Sequence, residues 1–168
     1  MGISRYDFKY RINFVEGFAV FNFEFEVFMN THIEQIRPEL IWRLRQQVLY
    51  PARKLYEMEL DEDNNGLHLG AFTDDALVGI ISLFQRGTSF QFRKLAVLPD
   101  LQKMGIGNSL LNRVEEYAQA EGGTIIWGNA RVSAIGFYLK AGYAHTGKLF
   151  SKNGFDYEIL EKSIKKPV

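Results

Sequence analysis

At 168 residues, 46% hydrophobic and 24% charged, the chain has the balance of one ordinary globular domain, able to bury about 70% of its surface on folding. Its twenty basic and twenty acidic side chains cancel, so no global field favours nucleic acid or an anionic membrane, and only a local basic patch stays open. The absence of cysteine excludes disulfides, thiolate metal ligands and a cysteine nucleophile.

The first 28 residues stand apart. Arg5, Lys9 and Arg11 imitate the start of a secretory signal, but Glu16, Glu24 and Glu26 interrupt the apolar stretch behind them. Tyr6 stands where a myristoylation site wants Ser or Thr, and no apolar run approaches the roughly 20 residues of a bilayer span. The cytoplasm is the expected compartment. Ala19, Phe21, Phe23, Phe25 and Val27 alternate with Val20, Asn22, Glu24, Glu26 and Phe28, the period of a half-buried strand. Residues 1–28 are expected to be an extension, an added strand or pairing edge, and a homodimer stays open. Residues 29–168 read as the main domain.

Pro38 suits a first helical turn, after which Leu40, Ile41, Leu44 and Val48 share a face until Tyr50-Pro51 ends the helix. The polar stretch Asp61–Gly66 reads as a loop. Leu67–Thr73 and Ala76–Gln85, joined by Asp74-Asp75, read as an antiparallel hairpin, and a third strand runs from Gly87 to Pro99. Ile106, Leu110, Val114, Tyr117 and Ala118 predict a long helix that Gly122-Gly123 ends. Thr124–Trp127 is a short buried strand, Val132–Lys140 a helix with Gly142 as its cap, and Tyr143–Lys148 with Phe155–Leu160 a closing hairpin. The class is mixed α/β.

The chemically informative stretch joins the third strand to the long helix. Helix starts leave N–H groups unpaired and carry partial positive charge. Gly105 and Gly107 would let a bulky anion reach those groups without meeting a Cβ. A purely structural turn would look the same. A P-loop would need Gly-Lys-Ser/Thr and a dinucleotide fold a third glycine, and neither is present.

Gln102-Lys103-Met104-Gly105-Ile106-Gly107 resembles the Gln/Arg-x-x-Gly-x-Gly/Ala signature of the GNAT superfamily of N-acetyltransferases, and Leu95-Ala96-Val97-x-Pro99 is similar to the strand before it. Asn129 to Tyr143, with Phe137-Tyr138-Leu139-Lys140-Ala141-Gly142-Tyr143, resembles the second motif of that superfamily. The resemblance implies a splayed, mostly antiparallel mixed sheet with flanking helices, and acetyl-CoA as acyl donor with no metal. It implies that the backbone of Leu95, Ala96 and Val97 pairs with the pantetheine arm. The amides of Gln102, Lys103, Met104, Gly105, Ile106 and Gly107 would hold the pyrophosphate, and Asn129 and Ser133 would touch the coenzyme. Tyr138 would lie near the thioester sulfur.

The implied reaction is transfer of an acetyl group to a primary amine, on a small molecule or peptide, by direct attack in a ternary complex. Tyr138 is the candidate acid. Ordinary pKa values of ~10 for tyrosine and ~8.5 for a thiol make full proton transfer uphill by roughly 2 kcal/mol, so hydrogen-bond donation to the developing thiolate is equally open. The coenzyme strand, Phe90-Gln91-Phe92-Arg93-Lys94, holds no carboxylate. His68, His145, Asp156 and Glu158 are substitute bases, each also readable as an ordinary polar residue, and a relayed water needs none of them. Arg93 and Arg131 read either as groups that steer an acidic acceptor or as solvated surface residues and salt-bridge partners, and Trp42 and Trp127 would line a pocket or fill the core. The alternative reading is a non-catalytic acyl-CoA-binding sensor, which would keep Gly105 and Gly107 without needing Tyr138.

Overall fold

A computed structural model describes residues 9–15, 18–24 and 31–164, and before residue 31 only the backbone. The chain divides into two compact units, Met1–Asn30 and Thr31–Val168. In the first, β1 (Lys9–Val15) and β2 (Phe18–Glu24) pair antiparallel from Lys9↔Glu24 to Val15↔Phe18. The single strand expected there is one arm of a hairpin, and the continuation of its alternation through Phe25 and Val27 lies outside the described residues.

The second unit is built on a seven-stranded sheet. Its strands are β3 (Thr31–Gln35), β4 (Leu67–Thr73), β5 (Ala76–Arg86), β6 (Ser89–Val97), β7 (Ile125–Arg131), β8 (Ala144–Lys152) and β9 (Phe155–Ser163). They lie in the order β3-β4-β5-β6-β7-β9-β8, antiparallel throughout except for β6 beside β7. Asp74 and Asp75 at φ 48° and 64° close the β4–β5 hairpin in the left-handed pair of conformations that matches strand twist. Asn153 and Gly154, at φ 54° and 77°, close β8–β9 in the same way.

Helices cover both faces of the sheet. Ile80 and Ile81 are consecutive on β5, face opposite ways, and are both fully buried. Ile81 joins Leu110, Leu111, Val114 and Ala118 of α2 (Ile106–Ala120). Ile80 joins Ile41 and Leu44 of α1 (Pro38–Leu44) together with Ala96. A short α3 (Ile135–Lys140) follows a 3₁₀ turn at Val132–Ala134. The face expected for the first helix needs correction. Leu40 is 47% exposed while Ile41 and Leu44 are buried, and after Leu44 the backbone widens into a π turn, Arg45–Leu49, which breaks the regular spacing before Val48.

One irregularity of the sheet positions everything that follows. β6 and β7 pair only at Ser89↔Ile125, Phe90↔Ile126 and Gln91↔Trp127. Beyond that point β6 stays with β5 as far as Gly79↔Val97, while β7 stays with β9 as far as Arg131↔Tyr157. The two strands therefore part, and a wedge opens between them. The expected strand at Thr124–Trp127 is longer for the same reason: β9 supplies the partner that carries β7 on to Arg131. Gly128 stands at the fork because a Cβ there would come within 2.3 Å of the Phe92 ring. On the other lip, Ser82 pairs with Arg93 and Ile80 with Ala96, so Lys94 and Leu95 together oppose Ile81. This is a β-bulge, and Lys94 sits in it at φ 58°.

Candidate active site

The wedge leads into a cavity of about 380 Å³. Phe92, Lys94 and Leu95 of β6 form one wall, and Asn129 and Arg131 of β7 form the opposite one. Tyr138 of α3 closes one side; Tyr50, Arg53 and Glu57, which follow the π turn, close the other.

The sequence places the candidate coenzyme residues in three groups, and the structure separates them. Leu95 lines the cavity, whereas the side chains of Ala96 and Val97 are buried in the two cores. Only their backbone is available to a ligand, on the side where β7 has left. The second group is the turn into α2. Gln102 Nε2 donates to the Val97 carbonyl at 3.0 Å and ties the turn to the strand end. Lys103 and Gly105 take left-handed φ values of 64° and 87°, and no side chain caps the first turn of α2. Its leading amides therefore have no side-chain acceptor, the condition for anion binding.

The two glycines of that turn play different parts. A Cβ built at Gly105 meets nothing within 4 Å, so the space above it is open, while one at Gly107 would stand 3.4 Å from the Phe137 ring. Gly107 thus serves the approach of α3 as well as any ligand. Ile106 is a core residue, and Lys103 and Met104 are exposed. In the third group Asn129 lines the cavity, and Ser133 lies exposed on the turn beside it.

Tyr138 is both a packing residue and a cavity residue. Its ring stacks on Phe92 at 5.2 Å and meets Phe137 and Tyr143 edge-on at 4.9 and 5.9 Å. Burial pushes its pKa well above the ordinary tyrosine value, which keeps the hydroxyl protonated as a donor.

None of the four substitute bases lines the cavity. His68 is buried in a polar cluster, where Nε2 donates to the Asp63 carbonyl at 2.7 Å and Nδ1 lies 2.8 Å from the Ser82 hydroxyl. His145 pairs with Glu158 at 2.9 Å, and the hydrogen bond holds the Glu158 carboxyl below its ordinary value. Asp156 accepts from Ser151. Trp42 donates to Asp63 at 3.1 Å and is taken up in the same buried cluster.

Two features of the cavity escape sequence reasoning. Glu57 is the one carboxylate among its lining residues, carried in by a 3₁₀ turn at Leu55–Met58. Lys94 reaches the Tyr50 hydroxyl at 2.5 Å, and its pKa falls to about 8. Burial is the main cause, followed by the charges of Arg93, Arg45, Arg131 and Lys152. A bulge with positive φ at a lysine leaves no mark in a hydrophobic pattern.

A family model described as an acetyltransferase (GNAT) domain matches residues 33–163. YitI, an uncharacterized N-acetyltransferase of Bacillus subtilis (strain 168), is 26% identical over 137 residues, covering 76% of this chain and 92% of YitI. A Lactobacillus plantarum crystal structure assigned as an N-acetyltransferase superposes with a TM-score of 0.72 at 19% identity, over 80% of this chain and 98% of that one. An aminoglycoside 6'-N-acetyltransferase complexed with coenzyme A gives 0.69 at 17% identity, over 82% and 99%. Taken with the split sheet and the uncapped glycine turn, the family match over most of its length shows that the chain belongs to the GNAT acetyltransferase family and is an acyl-CoA-dependent N-acyltransferase.

Proposed function

We propose that the enzyme transfers an acetyl group from acetyl-CoA to a primary amine by direct attack in a ternary complex. The observation that carries this reading is the wedge. It leaves the β7-facing edge of β6 without a strand partner over residues 92–97, next to a cavity that Tyr138 lines. An extended thioester arm can take the place of the missing strand along Leu95, Ala96 and Val97. The open space over Gly105 and the free amides from Lys103 to Gly107 fit the pyrophosphate, while the Gln102 amide already donates to the Pro99 carbonyl at 3.2 Å and Gln102 instead ties the turn through its side chain; Asn129 and Ser133 would touch the rest of the coenzyme.

Bound acetyl-CoA supplies an activated acyl carbon and a thiolate leaving group. The residues of this chain position, donate and exclude water. Alignment of amine and thioester in the cavity is the largest contribution such a site can make. Tyr138, held protonated by burial, donates a hydrogen bond to the departing sulfur instead of surrendering its proton to it. The amine proton leaves by way of Glu57 or a water beside it. Among the described residues no cluster of three or more His, Cys, Asp or Glu side chains could hold a metal ion, and the scheme uses none.

Calorimetric titration with acetyl-CoA, coenzyme A and dephospho-coenzyme A tests the donor. One-to-one binding of the first two with similar affinity, followed by thiol release in an amine screen, is expected. A folded sample that binds none of them refutes the reading.

A further inference from the structure

We propose that the acceptor is an anionic primary amine, whose carboxylate or phosphate oxygens sit among Arg53, Lys94, Arg131 and Lys152. The inference rests on the acyl-transfer reading and names the substrate class of the same cavity. Six cationic side chains line this cavity against the single carboxylate of Glu57. Two of the six are already answered. Arg45 is held by both oxygens of Asp63 at 2.7 and 2.8 Å, and Arg93 shares Glu62 at 3.5 Å. The other four form no ion pair with a carboxylate among the described residues.

Their arrangement is a constructed one. Lys94, Arg53 and Arg131 gather on the ring of Tyr50, at 4.4, 5.2 and 5.7 Å from its centre. The ring and its hydroxyl offset only part of the repulsion between three like charges. Arg131 is anchored by one N–H to the Leu49 carbonyl at 3.0 Å and lies 3.8 Å from the centre of the Phe155 ring, which leaves the rest of its guanidinium donors for a ligand. The pKa of Lys94 is lowered first by burial and then by the surrounding cations, Arg131 and Lys152 among them.

The coenzyme does not account for these charges. On the acyl-transfer reading its pyrophosphate sits at the turn from Gln102 to Gly107, none of whose residues lines this cavity, and its 3'-phosphate lies beyond the pyrophosphate from the thioester end. A polyamine or an aminoglycoside, each a polycation, would be repelled. An anionic amine gains twice. Its anionic end is held by guanidinium and ammonium groups, and its own ammonium loses a proton more readily in their field. The nitrogen lone pair then forms the C–N bond, the C–S bond breaks with its electrons going to sulfur, and one of the two protons on that nitrogen passes to Glu57 or to water while the other stays in the amide.

The test uses L-glutamate, O-phosphoethanolamine, glutamate dimethyl ester and spermidine as acceptors, with thiol release as one readout. The other is calorimetric binding to the protein loaded with coenzyme A. An anionic probe should exceed the ester in kcat/KM by at least ~10-fold, and spermidine should be poorest. The glutamate and phosphoethanolamine arms distinguish carboxylate from phosphate. Arg53→Gln and Arg131→Gln should each raise KM for the anionic probe ~10-fold more than they raise KM for the ester, with coenzyme A still bound. Preference for the ester or spermidine, or an equal loss on every probe, overturns the proposal and spares acyl transfer. If no probe turns over, binding decides: an anionic probe that binds, and is lost in Arg131→Gln, supports the proposal, and no binding overturns it. Failure of acetyl-CoA itself to bind would refute the acyl-transfer reading and this inference with it.

Discussion

Tyr138 sits in an aromatic cluster with Phe92, Phe137 and Tyr143, so removing its hydroxyl should leave the packing in place. Tyr138→Phe should lower kcat by ~10²-fold and leave the affinity for coenzyme A almost unchanged. Equal turnover in the variant would remove the hydroxyl from the chemistry. Lys94 offers a second check. In the folded protein it loses its proton around pH 8, while the unfolded chain holds its own to the ordinary 10.5. Between those values unfolding takes up a proton, so stability should rise with pH from about 8 to about 10.5. Urea midpoints measured at two pH values in this window should rise for the parent protein and rise less for Lys94→Met. At this scale the sequence announced residue types but not their surroundings. Tyr138 was legible because a motif surrounds it. Glu57 was not, because only the turn at Leu55–Met58 carries it to the cavity.

The element that most determines the site is the loop from β6 into α2. Gly105 at φ 87° is needed for its backbone, whereas Gly107 needs only room beside Phe137. Gly105→Ala should therefore strain the turn by about 1–2 kcal/mol and weaken acetyl-CoA binding. Gly107→Ala, whose Cβ has 3.4 Å of clearance, should be milder than Gly107→Val, and calorimetry on folded variants ranks the three. On the far side of the cavity the polar stretch at 61–66 is no simple solvent loop. Asp63 is 2% exposed and binds Arg45, the Trp42 indole N–H and the Leu60 amide. Burial alone would raise its pKa, but these partners together hold it below the ordinary value. Asp63→Ala leaves Arg45 buried and unpaired and should cost about 3–5 kcal/mol in a denaturant titration. In the parent protein this contribution is complete above the ordinary carboxylate range and lost as pH falls through the lower folded pKa. Sequence pattern cannot show such a clamp, since the side-chain partners of Asp63 lie 18 and 21 residues away.

The hairpins, the long helix and the glycine turn were readable because each is decided by neighbours in the chain. The order of the sheet was not. β9 lies between β7 and β8, and that insertion both lengthens β7 and leaves the β7-facing edge of β6 open beyond Gln91. The site is thus a property of the whole sheet, built where two strands that begin as partners take different neighbours. Every element of that sheet lies within Thr31–Val168, the family match spans residues 33–163, and β1 and β2 form a two-stranded sheet of their own. We therefore expect residues 31–168 to be the acetyltransferase domain and residues 1–30 to be dispensable for folding and donor binding. A chain beginning at residue 31 should unfold in a single cooperative transition and bind acetyl-CoA with the same affinity as the full chain. Sedimentation of both forms would show whether the hairpin pairs chains: a smaller assembly for the shorter chain assigns it that role, and equal assemblies deny it. Loss of cooperative unfolding in the shorter chain would mean that the seven-stranded sheet depends on the hairpin for its stability.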